Sequence, residues 1–226
     1  MLGNELDGLS PQDARLVEFA RALTGRPWTV GPAAVEALAA AGLSRTAIRQ
    51  AIGLVAMFNY LTRVADGTGI EADFGEVLPT FVYRGVKDAV ERPGLAEWPA
   101  VDESLDDLGL LPDAQANWSR WRDYVLDSPE PITPTVRGQL RAIAARNACD
   151  RSVAEPGGEL AAPLADFAEK LSLTPWLVDS SDVETLRDSG LDDRAILHVI
   201  AVVAYQSAES RLRIGLSALA TAENVG

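Results

Sequence analysis

Cysteine, histidine and long apolar runs are what this chain is short of. It has one cysteine, Cys149, and one histidine, His198, in 226 residues. A lone cysteine cannot close an internal disulfide, so nothing points to a secreted disulfide framework. One His and one Cys leave only carboxylates as further metal ligands, and no paired-histidine spacing occurs. The sequence therefore predicts no metal, and it shows no signature of any other cofactor. The longest apolar stretch, Ala195–Tyr205, contains His198 and is too short to span a bilayer. The N-terminus, Met1-Leu-Gly-Asn-Glu-Leu-Asp, lacks the basic and apolar regions of a signal peptide. Positive charge is scarce too: 20 Lys and Arg face 33 Asp and Glu, for a net charge of −13. An acidic surface repels phosphate backbones, which argues against nucleic acid as a partner. No alternating strand pattern occurs, and no Gly-rich phosphate loop stands between a strand and a helix. By elimination this is a soluble cytoplasmic protein with neither a membrane nor a nucleic-acid partner, and its fold class is all-α.

What the chain does have is a stretch written twice. Shifted by 148 residues, Leu16–Gly67 lies on Leu164–Gly215 without a gap, and 19 of 52 positions are identical. The matches include Phe19/Phe167, Pro27/Pro175, Trp28/Trp176, Gly42/Gly190, Ile52/Ile200, Arg63/Arg211 and Gly67/Gly215. Coincidence rarely gives this many, and the reading is an internal duplication. The domain expectation is a single unit, 1–226. It is built from two pseudo-repeats, about 12–70 and 135–219, joined by a Pro-rich helical connector, 71–134. With 47% apolar residues the chain can fill one large core.

Helical spacing of Leu16, Phe19, Ala20 and Leu23 predicts a helix over 12–24. Pro32 opens a short second helix, which Gly42 ends. Ser44 caps a third that runs to about Ala65. It is apolar on most sides through Ile52–Met57, as suits a bundle centre or a subunit interface. The connector should carry a helix over 113–126, and its Phe81, Trp98, Trp118, Trp121 and Tyr124 call for burial. Pro134 opens a helix over Thr135–Cys149. The second copy repeats the order of the first: a helix over 160–172, a short one over 181–188 with Ser181 and Glu184 at capping-box spacing, and a long one from the Asp192 cap to about Ala220.

The phrases Leu16-Val-Glu-Phe-Ala, Val35-Glu-Ala-Leu-Ala-Ala-Ala-Gly-Leu-Ser and Phe58-Asn-Tyr-Leu-Thr-Arg-Val-Ala-Asp resemble the alkylhydroperoxidase-D-like (carboxymuconolactone decarboxylase) superfamily. The resemblance covers about 12–70 and 118–219. It implies an alkylhydroperoxidase-D-like helical bundle of duplicated units that forms homo-oligomers. The family's peroxidase branch uses a Cys-x-x-Cys pair, a histidine and an upstream glutamate. Aligned on that motif, Cys149 matches the first cysteine, Ser152 stands at the second, Pro156 at the histidine and Arg137 near the glutamate. Ser152 cannot form a disulfide and Pro156 cannot relay a proton, so the resemblance implies the fold without the redox cycle. Subtracting 148 from Cys149 lands on Met1, so the first copy has no counterpart of the motif. Cys149 is an inert buried thiol, a lone peroxide-reactive thiol, or a participant in other pocket chemistry.

Two further constellations stand out. His198, Tyr205 and Glu209 fall on one stripe of the last helix at 100° per residue, where a histidine and a carboxylate can supply an acid–base pair. The bland alternative turns them into a subunit contact or to solvent. Asn59, Arg63 and Asp66 share one face of the third helix. They form either a helix-end hydrogen-bond and ion-pair cluster, or a site where Arg63 binds a substrate carboxylate. The leading functional expectation is a superfamily member without the redox motif, repurposed as an enzyme that uses acid–base groups in an apolar pocket on a small-molecule substrate. Its catalytic groups are His198, Tyr205, Glu209 and Cys149, and its reaction is a lyase, isomerase or cyclisation step. The alternatives are a single-cysteine thiol peroxidase and a non-catalytic binding or scaffold protein.

Overall fold

A computed structural model describes residues 8–70, 92–99, 101, 112–153 and 157–225, with side chains described as far as Glu223. The described residues form eight α-helices and three single 3-10 turns and contain no strand. The helices are α1 (Pro11–Gly25), α2 (Pro32–Ala40), α3 (Arg45–Thr68), α4 (Pro112–Asp127), α5 (Pro134–Asn147), α6 (Ala162–Leu173), α7 (Ser180–Asp188) and α8 (Asp193–Val225). No described helix is long and apolar enough to cross a membrane.

Local chemistry sets most boundaries. Ser44 accepts from Ala47 N to open α3, and the Asp192 carboxylate accepts from Ala195 N to open α8. Gly42 and Gly190 end their short helices at φ +98° and +97°, a left-handed conformation that glycine adopts without cost. The capping box of α7 sits two residues earlier than its sequence spacing predicts. Asp179 and Asp182 form it, while Glu184 pairs with Arg187. A carboxylate at each end of the box serves the positive helix start better than the Ser181/Glu184 pair. Helix α8 runs five residues past Ala220, because its alanine-rich end carries no stop signal. Phe81 lies outside the described residues. Trp98 and Trp118 are partly buried, but Trp121 and Tyr124 are exposed, against expectation.

The elements recur at a fixed offset. The 3-10 turns at 27–29 and 175–177, and the helices at 32–40 and 180–188, stand 148 residues apart. Helices α3 and α8 begin at the same offset and pack against each other along much of α3. Gly67 approaches Ile200, and Gly215 approaches Ile52, its equivalent. The buried arginines are matched in the same way. Arg63 Nη2 donates to Ser172 O at the end of α6 (2.9 Å). Arg211 donates from Nε and Nη2 to Thr24 O at the end of α1 (3.0 and 2.8 Å). Serine 172 is residue 24 plus 148. Each half thus holds the last turn of the other half's first helix, satisfying a carbonyl that the helix leaves unpaired.

Two apolar clusters flank this crossing. One joins α1, α2 and α3 to the C-terminal half of α8 through Leu23, Val35, Ile52 and Leu219. The other joins α4 to α7 with the N-terminal half of α8 through Val125, Leu140, Phe167 and Val199. The halves differ in two places. Helices α4 and α5 cover one flank of α8, and no described helix covers the matching flank of α3. Helix α8 also continues past residue 216, the equivalent of Thr68, and buries Ala218 and Leu219 in the first cluster beside α2.

A Cβ at Gly215 would stand 2.7 Å from Ile52 Cγ2, too close for a packed branched side chain to yield. Alanine improves helix propensity by about 1 kcal/mol, whereas overpacking costs ~1–3 kcal/mol. Gly215→Ala is expected to destabilise the protein in urea unfolding. In an Ile52→Ala background, where the clash is gone, the same change is expected to stabilise it by about 1 kcal/mol.

Candidate functional site

The stripe on α8 faces α4 and α5. His198, Tyr205 and Glu209 are all buried there. The α5 side contributes Arg137 and Arg141, one helical turn apart, and α4 contributes Trp118, Tyr124 and Val125.

At one end, His198 Nε2 lies 3.0 Å from Val125 O and 3.2 Å from Arg137 Nη2. One ring nitrogen cannot donate to the carbonyl and accept from the guanidinium at once, so either tautomer satisfies only one of these contacts. The Tyr124 ring meets the imidazole edge-on at 5.8 Å. Burial, with the adjacent Arg137 charge, lowers the His198 pKa and favours the neutral ring. Arg137 is 1% exposed. Its Nη2 also donates to Ile132 O (3.1 Å), while Nε and Nη1 have no hydrogen-bond partner among the described residues. Burial lowers its pKa, and Asp127 opposes the shift.

Further along, the Tyr205 ring stacks on Trp118 at 4.9 Å, and its hydroxyl, fully buried, has no hydrogen-bond partner among the described residues. Burial raises the Tyr205 pKa and the Glu209 charge adds to the rise, so the phenol stays protonated. Glu209 accepts from Arg213 through Oε1 (3.1 Å), while Oε2 lies 3.9 Å from Arg141 Nη2 and makes no hydrogen bond. Arg141 Nε donates to Gln206 Oε1 (2.9 Å), whose amide donates to Ser210 Oγ (3.1 Å). The sequence places the stripe and the burial of Trp118 but not Arg141 or Gln206. The signal for Arg141 was its spacing, four residues from Arg137 on a helix with an apolar face.

The other predicted residues lie elsewhere. Cys149 follows the end of α5 in the left-handed region, φ +57°, and is fully buried. Burial pushes its thiol up to about 11, against the opposing Arg92 charge. Beside it, Asn147 accepts from Arg92 and donates to Glu169 and to Ser172 Oγ (2.7 Å for the last). Ser152 N donates to Asp150 Oδ1 (2.9 Å); Pro156 lies outside the described residues. Asn59 and Arg63 belong to the crossing of α3 with α6. Arg63 Nη1 donates to Asn59 O and Oδ1 (3.0 and 2.8 Å), and Asn59 Nδ2 reaches Val55 O and Thr24 Oγ1. Burial lowers the Arg63 pKa to about 10, so it stays charged at pH 7.

Asp66 lines a different feature, an open cleft of about 340 Å³ with Thr68, Gly69, Asp179, Ser180, Val183, Glu184 and Arg187 around it. Burial raises the Asp66 pKa, and Arg63 opposes the rise. The cleft lies where α3 stops beside α7, the place that the last turns of α8 fill beside α2 in the other half. Among the described residues no group of three or more His, Cys, Asp or Glu converges as a metal site.

A thiol held near pKa 11 carries ~100-fold less thiolate at pH 8 than one near ~8.5. Cys149 is therefore expected to react with a disulfide reagent such as DTNB at least ~100-fold more slowly in the folded protein than in 6 M guanidinium. A fast native-state reaction would favour the single-cysteine peroxidase reading. Compared with known proteins, the chain matches no family model, no curated protein and no solved structure.

Proposed function

We propose that this chain is an alkylhydroperoxidase-D-like protein that arose by duplication, lost the redox motif and now carries out non-redox acid–base chemistry on a small molecule at the α4–α5–α8 interface. The observation that carries this reading is the set of unpaired buried atoms. Eight buried side-chain nitrogens and oxygens among the described residues lack a hydrogen-bond partner, and four of them stand on this one interface: Arg137 Nε and Nη1, Tyr205 Oη and Glu209 Oε2. A buried unpaired polar atom costs about 1–3 kcal/mol, so such a concentration is a strain that stability alone does not explain.

The unpaired groups divide by role. Arg137 and Tyr205 present N–H and O–H donors, suited to an oxyanion or enolate that develops during reaction. Glu209 presents a carboxylate oxygen, suited to take up or return a proton. Neutral His198 steadies Arg137 and supplies a second exchangeable proton. Such a set fits proton abstraction beside a carbonyl, and hence a lyase, isomerase or cyclisation step. Support for the family comes from the repeated phrases and from the elements that recur at the 148-residue offset.

A scaffold reading draws on one observation, the commitment of His198 Nε2 to Val125 O and Arg137. Tyr205→Phe separates the two. If the hydroxyl is kept for substrate, its removal is expected to stabilise the free protein by about 1 kcal/mol in urea unfolding. The same variant is expected to stop consuming whichever metabolite the wild type consumes from a cell extract, followed by mass spectrometry. Destabilisation of ~1 kcal/mol or more, with no metabolite consumed by either protein, would favour the scaffold.

A further inference from the structure

Helices α3 and α8 are equivalent in position, yet their flanks are covered differently. On α8, Val202, Tyr205, Gln206 and Glu209 face α4 and α5 and are buried. Their equivalents on α3, at the offset of 148, are Leu54, Met57, Phe58 and Leu61. These are 54%, 42%, 54% and 47% exposed. The apolar surface continues onto α4. Trp121 meets Tyr60 edge-on at 6.2 Å and stacks on Tyr124 at 5.3 Å, and Trp121 and Tyr124 are both exposed. Together the six side chains bare on the order of 500 Å², at the upper end of what a monomer leaves uncovered.

The face also lacks charge. No charged residue occurs between Arg49 and Arg63, in a chain of net charge −13. Along the α3 stripe a partner chosen by charge would find nothing to pair with; charges enter only at the α4 flank, with Arg120, Arg122 and Asp123. A second copy of this acidic chain, repelled elsewhere, meets no repulsion on this stripe.

The pattern on the face is nearly palindromic about the bond between Met57 and Phe58. Running α3 antiparallel to the α3 of a second copy sets Leu54 against Leu61 and Met57 against Phe58. Ala51 then falls against Val64, and Gln50 against Ala65. A two-fold contact needs this kind of self-complementary surface, and the 54/57/58/61 spacing is the apolar seam of a helix pair. Two such faces bury roughly 1,000 Å² in total, the lower bound for a specific interface. We infer that this face of α3 is the interface of a two-fold dimer, α3 packing antiparallel on α3, with Trp121 and Tyr124 at its flank.

Sedimentation velocity of the full chain, in a series up to about 100 µM, reads the association directly. A species of twice the chain mass is expected. Leu54→Glu and Phe58→Glu, at exposed positions and checked for fold by circular dichroism, are expected to weaken association by ~30-fold or more. A second variant fixes the register without introducing a charge. Phe58→Cys, beside the two-fold axis, should form a covalent dimer on mild oxidation, whereas Thr46→Cys, far from the axis, should not. The native Cys149 is buried and takes no part. A monomer at every concentration, a dimer indifferent to both glutamates, or no covalent dimer from Phe58→Cys would each overturn the inference.

Discussion

The structure depends on one reciprocal exchange at the crossing of α3 and α8. Arg63 reaches from α3 to the last turn of α6, and Arg211 reaches from α8 to the last turn of α1. Both guanidiniums are buried, and burial lowers both pKa values. Arg63 contributes to the fall in Arg211 as a like charge. Two neighbouring buried cations are costly, and neither finds a carboxylate within ion-pair distance among the described residues. What offsets the cost is geometry. Each arginine points at the negative end of a helix, where carbonyls are unpaired and the helix dipole favours positive charge. Gly67 and Gly215 permit the approach that makes the exchange possible, because a side chain at either would strike an isoleucine of the opposing helix.

From this crossing outward the surroundings of α3 and α8 differ. The flank of α8 is sealed by α4 and α5, which converts a helix face into a buried interface holding Arg137, Tyr205 and Glu209. The same flank of α3 carries Leu54, Met57, Phe58 and Leu61 at the matching positions and is covered by no described helix. An apolar exposed face and a polar buried one are the reverse of what stability favours. The flank of α8 still joins an apolar cluster through Val125, Val202 and Tyr205, so its polar groups are set into a core face.

Much of the fold was legible because its signals are local. Ser44 and Asp192 mark helix starts, Gly42 and Gly190 mark stops, and the period of Leu16, Phe19 and Leu23 marks the buried face of α1. The stripe of His198, Tyr205 and Glu209 followed from helix geometry alone. What the stripe faces did not, because Arg137 and Arg141 are more than 55 residues away and their direction depends on how α5 docks. Trp121 and Tyr124 show the same limit: an apolar pattern tells which residues share a face and says nothing of whether a second element covers it. Cys149 was ambiguous as a letter in the sequence. Its burial, which no spacing reveals, raises the thiol pKa.

Native-state hydrogen exchange of Arg211→Met and Arg63→Met tests the crossing most directly, since methionine keeps much of the stem and removes the donors. If each arginine anchors the opposite half, Arg211→Met lowers protection in the last turn of α1 and spares the last turn of α6. Arg63→Met does the reverse. Equal loss at both helix ends in both variants, or no local loss in either, would contradict the reciprocal clamp.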